Sequence, residues 1–175
     1  MTSILVIPDC HSKPEGTSDR FTWLGKYIVE QQPDSIVCLG DFLDMKSLSS
    51  YDVGKGSGDG QRVKLDIEAG VRDCRALFAP LDAYNDIRRA RKEKQYLPDS
   101  KLLLGNHEDR LRKFLNDHPA LLGMLNLDFL EHYWGEVVPF KTPLIHEQIA
   151  FSHYWPTKTA TGARGGKHAA RTHVD

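Results

Sequence analysis

Side chains that can bind metal ions follow four apolar segments of the chain, at the point where each segment ends. Asp9 and His11 follow the first segment, Asp41 the second, Asn106 the third and His153 the fourth. These residues offer carboxylate, amide and imidazole groups, and none is a thiolate. Such ligands suit Mn²⁺, Fe or Zn²⁺ in a reactive site better than a structural thiolate zinc site. The sequence therefore predicts a metal centre formed by these residues.

The apolar segments are predicted to be β-strands, at residues 3–8, 35–39, 101–104 and 144–152. Apolar residues recur at helical spacing between the first two segments, and a strand, a helix and a second strand in so short a stretch indicate a parallel βαβ unit. In an open α/β sheet, ligands gather outside the carboxyl ends of the strands. We therefore expect the four strand ends to meet at one site.

Helices are predicted for most of the remaining chain. The first covers residues 18–32, with Ser18 or Thr17 as its N-cap and Pro33 as its stop signal. The others follow at residues 62–78, at 81–95 after a break near Pro80, at 108–116 and at 121–134.

The spacing of the ligands suggests how they would be arranged. Asp9 and His11 are two residues apart, so on a continuing strand they would share one face. Asp41 is a single carboxylate that could bridge two cations about 3.5–4 Å apart. Gly40 and Gly105 would let the backbone turn sharply just before the ligands that follow them.

The motifs that carry these residues resemble those of the calcineurin-like metallophosphoesterase family. They are Asp9-x-His11, Gly40-Asp41-x-x-Asp44, Gly105-Asn106-His107-Glu108 and the later His153, in the family's order. The segments Gly-Asn-His-Glu-Asp-Arg and Ser-His-Tyr-Trp-Pro are similar to the phage and bacterial branch of the family. The resemblance implies an α/β fold, in which a β-sandwich is flanked by helices in a four-layer α/β/β/α arrangement.

The resemblance also implies a role for each residue. The implied metal ligands are Asp9 and His11 for one cation, Asn106 and His153 for a second, and Asp41 as the bridge between them. His107 would be catalytic: it would face the substrate and stabilise developing charge or protonate the leaving oxygen. Asp44 would orient that imidazole by accepting its other N–H. Glu108 is interpreted as a first-turn helix residue matched to the helix dipole.

The resemblance implies two divalent cations and a hydrolytic reaction on phosphate esters. Mn²⁺ is the cation we expect, with Fe, Zn, Ni, Co or Mg as alternatives. Two cations neutralise phosphoryl oxygens and lower the pKa of a shared water, so that hydroxide forms near neutral pH. His107 as an imidazolium would protonate the leaving alkoxide or phenoxide. The resemblance thus implies a phosphatase, phosphodiesterase or nuclease, whose substrate could be a nucleic acid.

One motif of the family is absent from the chain. Family members carry a final Gly-His-x-His that gives each metal one more histidine, whereas here His168 and His173 are five residues apart near the end. Strand alternation would place such a pair on opposite faces. We favour a C-terminally truncated domain, which predicts weakly bound metals. The tail histidines could instead replace the missing ligands, or a second chain could complete the site across a dimer interface.

Length and composition fit one globular domain, since 40% of the 175 residues are apolar and 27% are charged. We assign residues 1–156 to the phosphoesterase domain and 157–175 to a Gly-rich basic tail with no predicted element, expected to be mobile. No apolar run reaches the roughly 18 residues of a membrane span, and the N-terminus lacks the features of a secretory signal. We therefore expect a cytoplasmic protein without membrane contact, and leave homo-oligomerisation open.

A second hypothesis is that the protein has the same fold but little or no catalytic turnover. The missing final motif and the basic cluster at residues 88–92 are consistent with a metal-binding or nucleic-acid-binding module. The net charge of −1 does not indicate a general polyanion binder, and a solvated helix face is the simplest interpretation of the cluster. A third hypothesis, a structural protein with a vestigial site, predicts that metals leave its thermal stability unchanged.

Overall fold

Four parallel strands form the sheet on which the metal-binding motifs lie. They are β1 (Ile4–Ile7), β2 (Ser35–Cys38), β3 (Asp99–Leu103) and β4 (Glu136–Val138). The strands are hydrogen-bonded in the order β1-β2-β3-β4, and every pair is parallel. The sequence predicts the first three strands and the parallel direction of the first two. It misses β4, because a three-residue strand is too short to show a period.

The structure, a computed structural model, describes residues 2–49, 60, 62–155, 157–159 and 162–164. Its helices are α1 (Asp19–Gln31), α2 (Val63–Ala90), α3 (Asp109–Asp117) and α4 (Phe129–Tyr133), with 3₁₀ turns at Lys46–Leu48 and Pro119–Leu121. Helix α1 provides the crossover from β1 to β2, as the βαβ pattern predicts. Within this part of the chain, no helix is long and apolar enough to cross a membrane.

Alternate residues of the strands pack on opposite faces of the sheet. On one face, Ile36 and Cys38 join the large core that includes Phe21 of α1 and Leu77 of α2. On the other face, Val37 belongs to a smaller cluster formed with the hairpin of β5 (Leu144–His146) and β6 (Ile149–Phe151). The α/β class is therefore confirmed. Among the described residues, a two-stranded hairpin lies where the four-layer expectation places a full second sheet.

Helix α2 continues through Pro80, without the break that the sequence predicts. A proline inside a helix removes a backbone hydrogen bond and costs about 3 kcal/mol or more. Here α2 packs against α1 so closely that a Cβ added to Gly25 would lie 2.9 Å from the Pro80 ring. We infer that this packing of α1 on α2 offsets the local cost, so one long helix replaces the two that were expected.

Two other predicted elements are divided in the structure. The strand expected over 144–152 is the β5–β6 hairpin, because the chain turns at Glu147 and Gln148 with φ of 49° and 64°. The helix expected over 121–134 is reduced to α4, and the chain turns before it at Gly123 with φ of 83°. Sequence periodicity misses both turns.

The segment after residue 156 contains strands that the sequence does not predict. β7 (Thr157–Thr159) and β8 (Gly162–Arg164) form an antiparallel pair. Threonine is β-branched and favours strands, so the threonines of β7 are a signal for this strand. The glycines and basic residues of the segment obscure that signal in its overall composition. Residues 165–175, with His168 and His173, lie outside the described residues.

A buried carboxylate of α2 fixes the loop that carries the first motif. Asp73 is 1% exposed and accepts hydrogen bonds from the hydroxyls of Ser12 and Ser18, at 2.7 and 2.5 Å. Arg72 Nε lies 2.8 Å from Asp73 Oδ1 as an ion-pair partner. Ser18 occupies the N-cap position of α1 but uses its hydroxyl on α2, so it makes no side-chain cap. A buried charge needs such partners to be tolerated.

Candidate metal centre

Backbone hydrogen bonds join the loops that follow β1 and β2. Cys10 N and His11 N both donate to the Asp41 carbonyl, at 3.1 and 2.8 Å, and Ser12 N donates to the Phe42 carbonyl at 2.7 Å. The parallel pairing therefore extends past the last residues of the strands. The first and second motifs form one unit at the carboxyl ends of β1 and β2, where ligands gather in open α/β sheets.

His11 and Asp41 have left-handed backbone conformations, with φ of 49° and 48°. This conformation costs a non-glycine residue about 1–2 kcal/mol, and such outliers cluster at functional sites. The turn at His11 also shows that β1 does not continue through the first motif. The expectation that Asp9 and His11 share a strand face is therefore wrong, and the loop sets their positions instead.

Gly40 and Gly105 leave space for the ligands around them. Gly40 has φ of 107°, which side chains rarely adopt, and a Cβ there would lie 2.7 Å from His153 Nδ1. A Cβ on Gly105 would collide with the carboxylate and backbone nitrogen of Asp41. Both glycines were expected to turn the backbone. Gly40 does so through its positive φ. Gly105 does not have a positive φ, and its missing side chain instead lets the second and third motifs approach each other.

Glu108 links the second and third motifs from a buried position. Its carboxylate accepts hydrogen bonds from Leu43 N and Gly105 N, each at 2.7 Å, and the residue is 2% exposed. Burial raises the pKa of Glu108 to about 7, and the two amides oppose that rise because they favour the ionised form. Helix α3 begins only at Asp109. Glu108 is thus a brace between loops and not the first-turn helix residue expected from the sequence.

Three acceptor atoms converge around Asp41. His153 Nε2 lies 3.0 Å from Asn106 Oδ1 and 3.5 Å from Asp41 Oδ1. His153 Nδ1 donates to the Leu39 carbonyl at 2.8 Å, which leaves a lone pair on Nε2. A metal-binding histidine commonly donates its other N–H to a carbonyl in this way. With His153 in this neutral tautomer, lone pairs of the three atoms face one another, and such a donor set fits a metal ion.

A second group also includes Asp41. Ligand atoms of His11, Asp41 and His107 all lie within 4.8 Å of one another. Asp41 is 4% exposed and belongs to both groups, which is the position a bridging carboxylate requires. His107 appears in this group although the resemblance assigns it to the substrate, so its distance alone does not separate the two roles.

Asp9 lies at the edge of the centre. Its Oδ1 is 3.9 Å from His153 Nδ1, and its side chain is 52% exposed. The structure thus groups Asp41 with Asn106 and His153, and also with His11, while the described contact of Asp9 is to His153 and not to His11.

His107 is held by partners at both ring nitrogens. Nδ1 lies 2.7 Å from the Asp44 carbonyl oxygen and 3.1 Å from Asp44 Oδ1, so it donates to this residue. Nε2 accepts from Arg110 Nη2 at 3.0 Å. These partners require the neutral tautomer with its proton on Nδ1. The imidazolium form expected from the sequence is therefore not the form that these contacts support.

Arg110 is a residue of the site that the sequence reasoning misses. The available signal is its position three residues after His107, a spacing that places side chains next to each other on a helical turn. Without the fold, that signal does not distinguish Arg110 from Arg112 or Lys113 on the same helix.

The comparison with known families gives a single result. The family model for calcineurin-like phosphoesterases matches residues 2–159 of the chain. The chain belongs to the calcineurin-like phosphoesterase family. No curated protein and no solved structure matches it. The resemblance seen in the motifs is thereby confirmed, while the phage and bacterial branch and the reason for the missing final motif stay predictions.

Family membership makes this protein a metallophosphoesterase, and divalent metals are the cofactors of the family. The cluster of His11, Asp41 and His107 provides a candidate site for such an ion. Which residues bind each ion, how many ions bind and which element they are do not follow from membership.

Proposed function

We propose that this calcineurin-like phosphoesterase hydrolyses phosphomonoesters or phosphodiesters with a pair of divalent cations, Mn²⁺ being the expected element. The observation that carries the proposal is the convergence of His153 Nε2, Asn106 Oδ1 and Asp41 Oδ1. Asp41 Oδ1 accepts one backbone N–H, from His107, and a cation beside the three atoms would satisfy the lone pairs that remain. The family match supplies the reaction class.

The proposed ligands surround Asp41. They are Asp9 and His11 for one cation, Asn106 and His153 for the other, and Asp41 for both. When bound, the cations would supply an acidified water as the nucleophile and would neutralise the phosphoryl oxygens. Asp41 is held ready for this role, because His107 N donates to its Oδ1 at 2.9 Å and Gly105 leaves room for its carboxylate.

His107 is proposed to act on the leaving oxygen, with Asp44 as its positioning residue. Asp44 accepts the Nδ1–H through both its carbonyl and its carboxylate, which fixes the ring and directs Nε2 toward the centre. To protonate a leaving oxygen, His107 must gain a proton at Nε2 and give up its contact with Arg110. Asp44 would stabilise the imidazolium formed in this way.

The basic cluster at residues 88–92 gives little support to a nucleic-acid substrate. Arg88 lies 3.4 Å from Glu93, and Arg89 lies 2.6 Å from Asp86. Ion pairs within the chain reduce the charge available to a phosphate backbone. A solvated surface at the end of α2 remains the simplest interpretation.

The test is hydrolysis of chromogenic phosphomonoesters and phosphodiesters, and of single-stranded DNA, with Mn²⁺ present. Asp41→Asn should reduce turnover by more than about 100-fold, the upper end of the effect of losing an outer partner of a metal ligand. Asp66→Asn is the matched control, since Asp66 is also buried but bonds Ser47 instead of the centre. Turnover that survives chelation would contradict the proposal. Metal binding without turnover would support the binding-module alternative.

A further inference from the structure

Arg110 brings a positive charge to the centre without a carboxylate partner. Its Nη1 donates to the carbonyl oxygens of Asp44 and Met45, at 2.9 and 3.3 Å, and its Nη2 donates to His107 Nε2 at 3.0 Å. All three acceptors are neutral. Within the described ranges, no carboxylate lies at ion-pair distance from this guanidinium.

Two other arginines provide a contrast, because each has a carboxylate partner. Arg72 pairs with Asp73 at 2.8 Å, and Arg112 pairs with Asp109 at 2.6 Å. Arg112 lies only two residues beyond Arg110 on α3 and has its counter-charge on the same helix. A half-buried guanidinium that has only neutral partners gains more from an incoming anion than an arginine that is already paired.

Two N–H groups of Arg110 remain for such an anion. A guanidinium has five N–H donors, and the described contacts use both hydrogens of Nη1 and one of Nη2. The second Nη2–H and the Nε–H have no acceptor among the described residues. They lie on adjacent atoms of a planar fork, and such a pair matches two oxygens of one phosphate.

The guanidinium is also close enough to the proposed metal ligands to share a substrate with them. Its acceptor, His107 Nε2, lies 3.8 Å from Asp41 Oδ2. The rings of His107 and His11 are 4.6 Å apart between centroids. A phosphoryl group bound by cations at Asp41 would therefore lie near the Arg110 guanidinium.

We propose that Arg110 binds the non-bridging oxygens of the phosphate ester and leaves His107 when it does so. This inference rests on the proposed function, because the ligand is taken to be a phosphate ester. In the structure the guanidinium donates a hydrogen bond to His107 Nε2. Its transfer to the phosphate would free Nε2 to face the leaving oxygen. Arg110 would thus bind the substrate and make His107 available in the same movement.

Inorganic phosphate is the probe, because it binds without turnover. Isothermal titration calorimetry of the Mn²⁺-loaded wild type, Arg110→Gln, Arg110→Lys and Arg112→Gln measures its affinity. Arg110→Gln should weaken phosphate binding about 10- to 100-fold, the range for losing a charge-assisted hydrogen bond. Arg110→Lys should lie between it and the wild type, since it keeps the charge and loses the fork. Arg112→Gln should bind as the wild type does, and the metal content should be equal in all four.

The outcomes separate the possible roles. Equal phosphate affinity in Arg110→Gln and wild type overturns the inference, and a lower kcat at that unchanged affinity would make Arg110 a positioning residue for His107 only. Absence of phosphate binding in the wild type also overturns it. Should Arg110→Gln fail to fold by circular dichroism, Arg110→Lys alone decides, because wild-type affinity in that variant refutes recognition by the fork.

Ester hydrolysis by the same proteins is scored separately. Weakened binding in a protein without esterase activity would support the Arg110 site and contradict the hydrolase.

Discussion

Asp41 belongs to both groups of the proposed metal centre, so Asp41→Asn should uncouple the stability of the protein from metal ions. The substitution keeps the side-chain shape and an acceptor for His107 N, which lies 2.9 Å from Oδ1. It removes a negative charge that faces Asn106 Oδ1 and His153 Nε2. Without metal, we expect the variant to be at least as stable as the wild type, because a 4% exposed carboxylate among acceptors is costly.

The expected effect of metal on the wild type follows from linkage. A cation present at 100 times its dissociation constant stabilises the folded state by about 2.7 kcal/mol per site. For a chain of 175 residues, 1 kcal/mol corresponds to a change in Tm of about 2–4 °C. The wild type should therefore gain about 5–11 °C per bound cation at this excess. Asp41→Asn should gain little, since both groups lose the shared carboxylate.

Differential scanning fluorimetry over a Mn²⁺ series, with an EDTA reference, measures both quantities. Asp66→Asn is the control, because Asp66 is 1% exposed but bonds Ser47 N at 3.0 Å and takes no part in the centre. The control should keep the full Mn²⁺-dependent gain. An equal gain in wild type and Asp41→Asn would refute the argument that the converging acceptors hold a cation. No gain in any of the three proteins would support the vestigial-site hypothesis.

Other substitutions test the surroundings of the centre. Gly105→Ala should lower Tm and remove the Mn²⁺-dependent gain in Tm, because the new methyl group would occupy the position of the Asp41 carboxylate at a cost of about 1–3 kcal/mol. Thermal denaturation of this variant and of the control Gly16→Ala measures the effect. A Tm no lower than that of the control would argue against the clash. His107→Ala should lower kcat at least about 100-fold at unchanged metal content, whereas loss of metal with no further kinetic effect would make it a ligand. Burial raises the pKa of the Asp66 carboxyl in the folded protein above its ordinary value of 3.8. The folded state therefore binds this proton more tightly than the unfolded state does. The resulting contribution to stability is full below pH 3.8 and declines as pH rises through the folded pKa. The stability of Asp66→Asn relative to wild type should therefore increase from about pH 4 to about pH 7 in urea denaturation, and a pH-independent difference would contradict this.

The placement of the second and third motifs could be predicted from the sequence. β2 is buried at every position, so it forms a continuous apolar run whose end is easily seen. Asp41 follows β2, and Asn106 follows β3, its parallel neighbour. Their proximity is then a consequence of sheet geometry. The same reasoning does not place His153, which follows an antiparallel hairpin and reaches the centre through its bond to the Leu39 carbonyl.

Contacts between distant residues account for what the sequence does not show. The left-handed turn at His11 depends on its amide donating to the Asp41 carbonyl, and the continuity of α2 through Pro80 depends on the approach of α1. Neither contact can be recognised from the sequence of the segment around it. Strand alternation and proline rules therefore give the wrong answer at these two places, although both rules are correct for an isolated segment.

Residues 105–110 show why a motif identifies residues more readily than it identifies roles. The sequence predicts that Asn106 and His107 belong to the site, because Gly105-Asn106-His107-Glu108 closes a strand and resembles the family motif. Glu108 and Arg110 carry charges of the kind found on any helix surface. Glu108 becomes a brace because it is 2% exposed and meets two amides, and Arg110 becomes available to an anion because its partners are neutral. Burial and the charge of the neighbours, which only the fold provides, therefore decide the function of these two side chains.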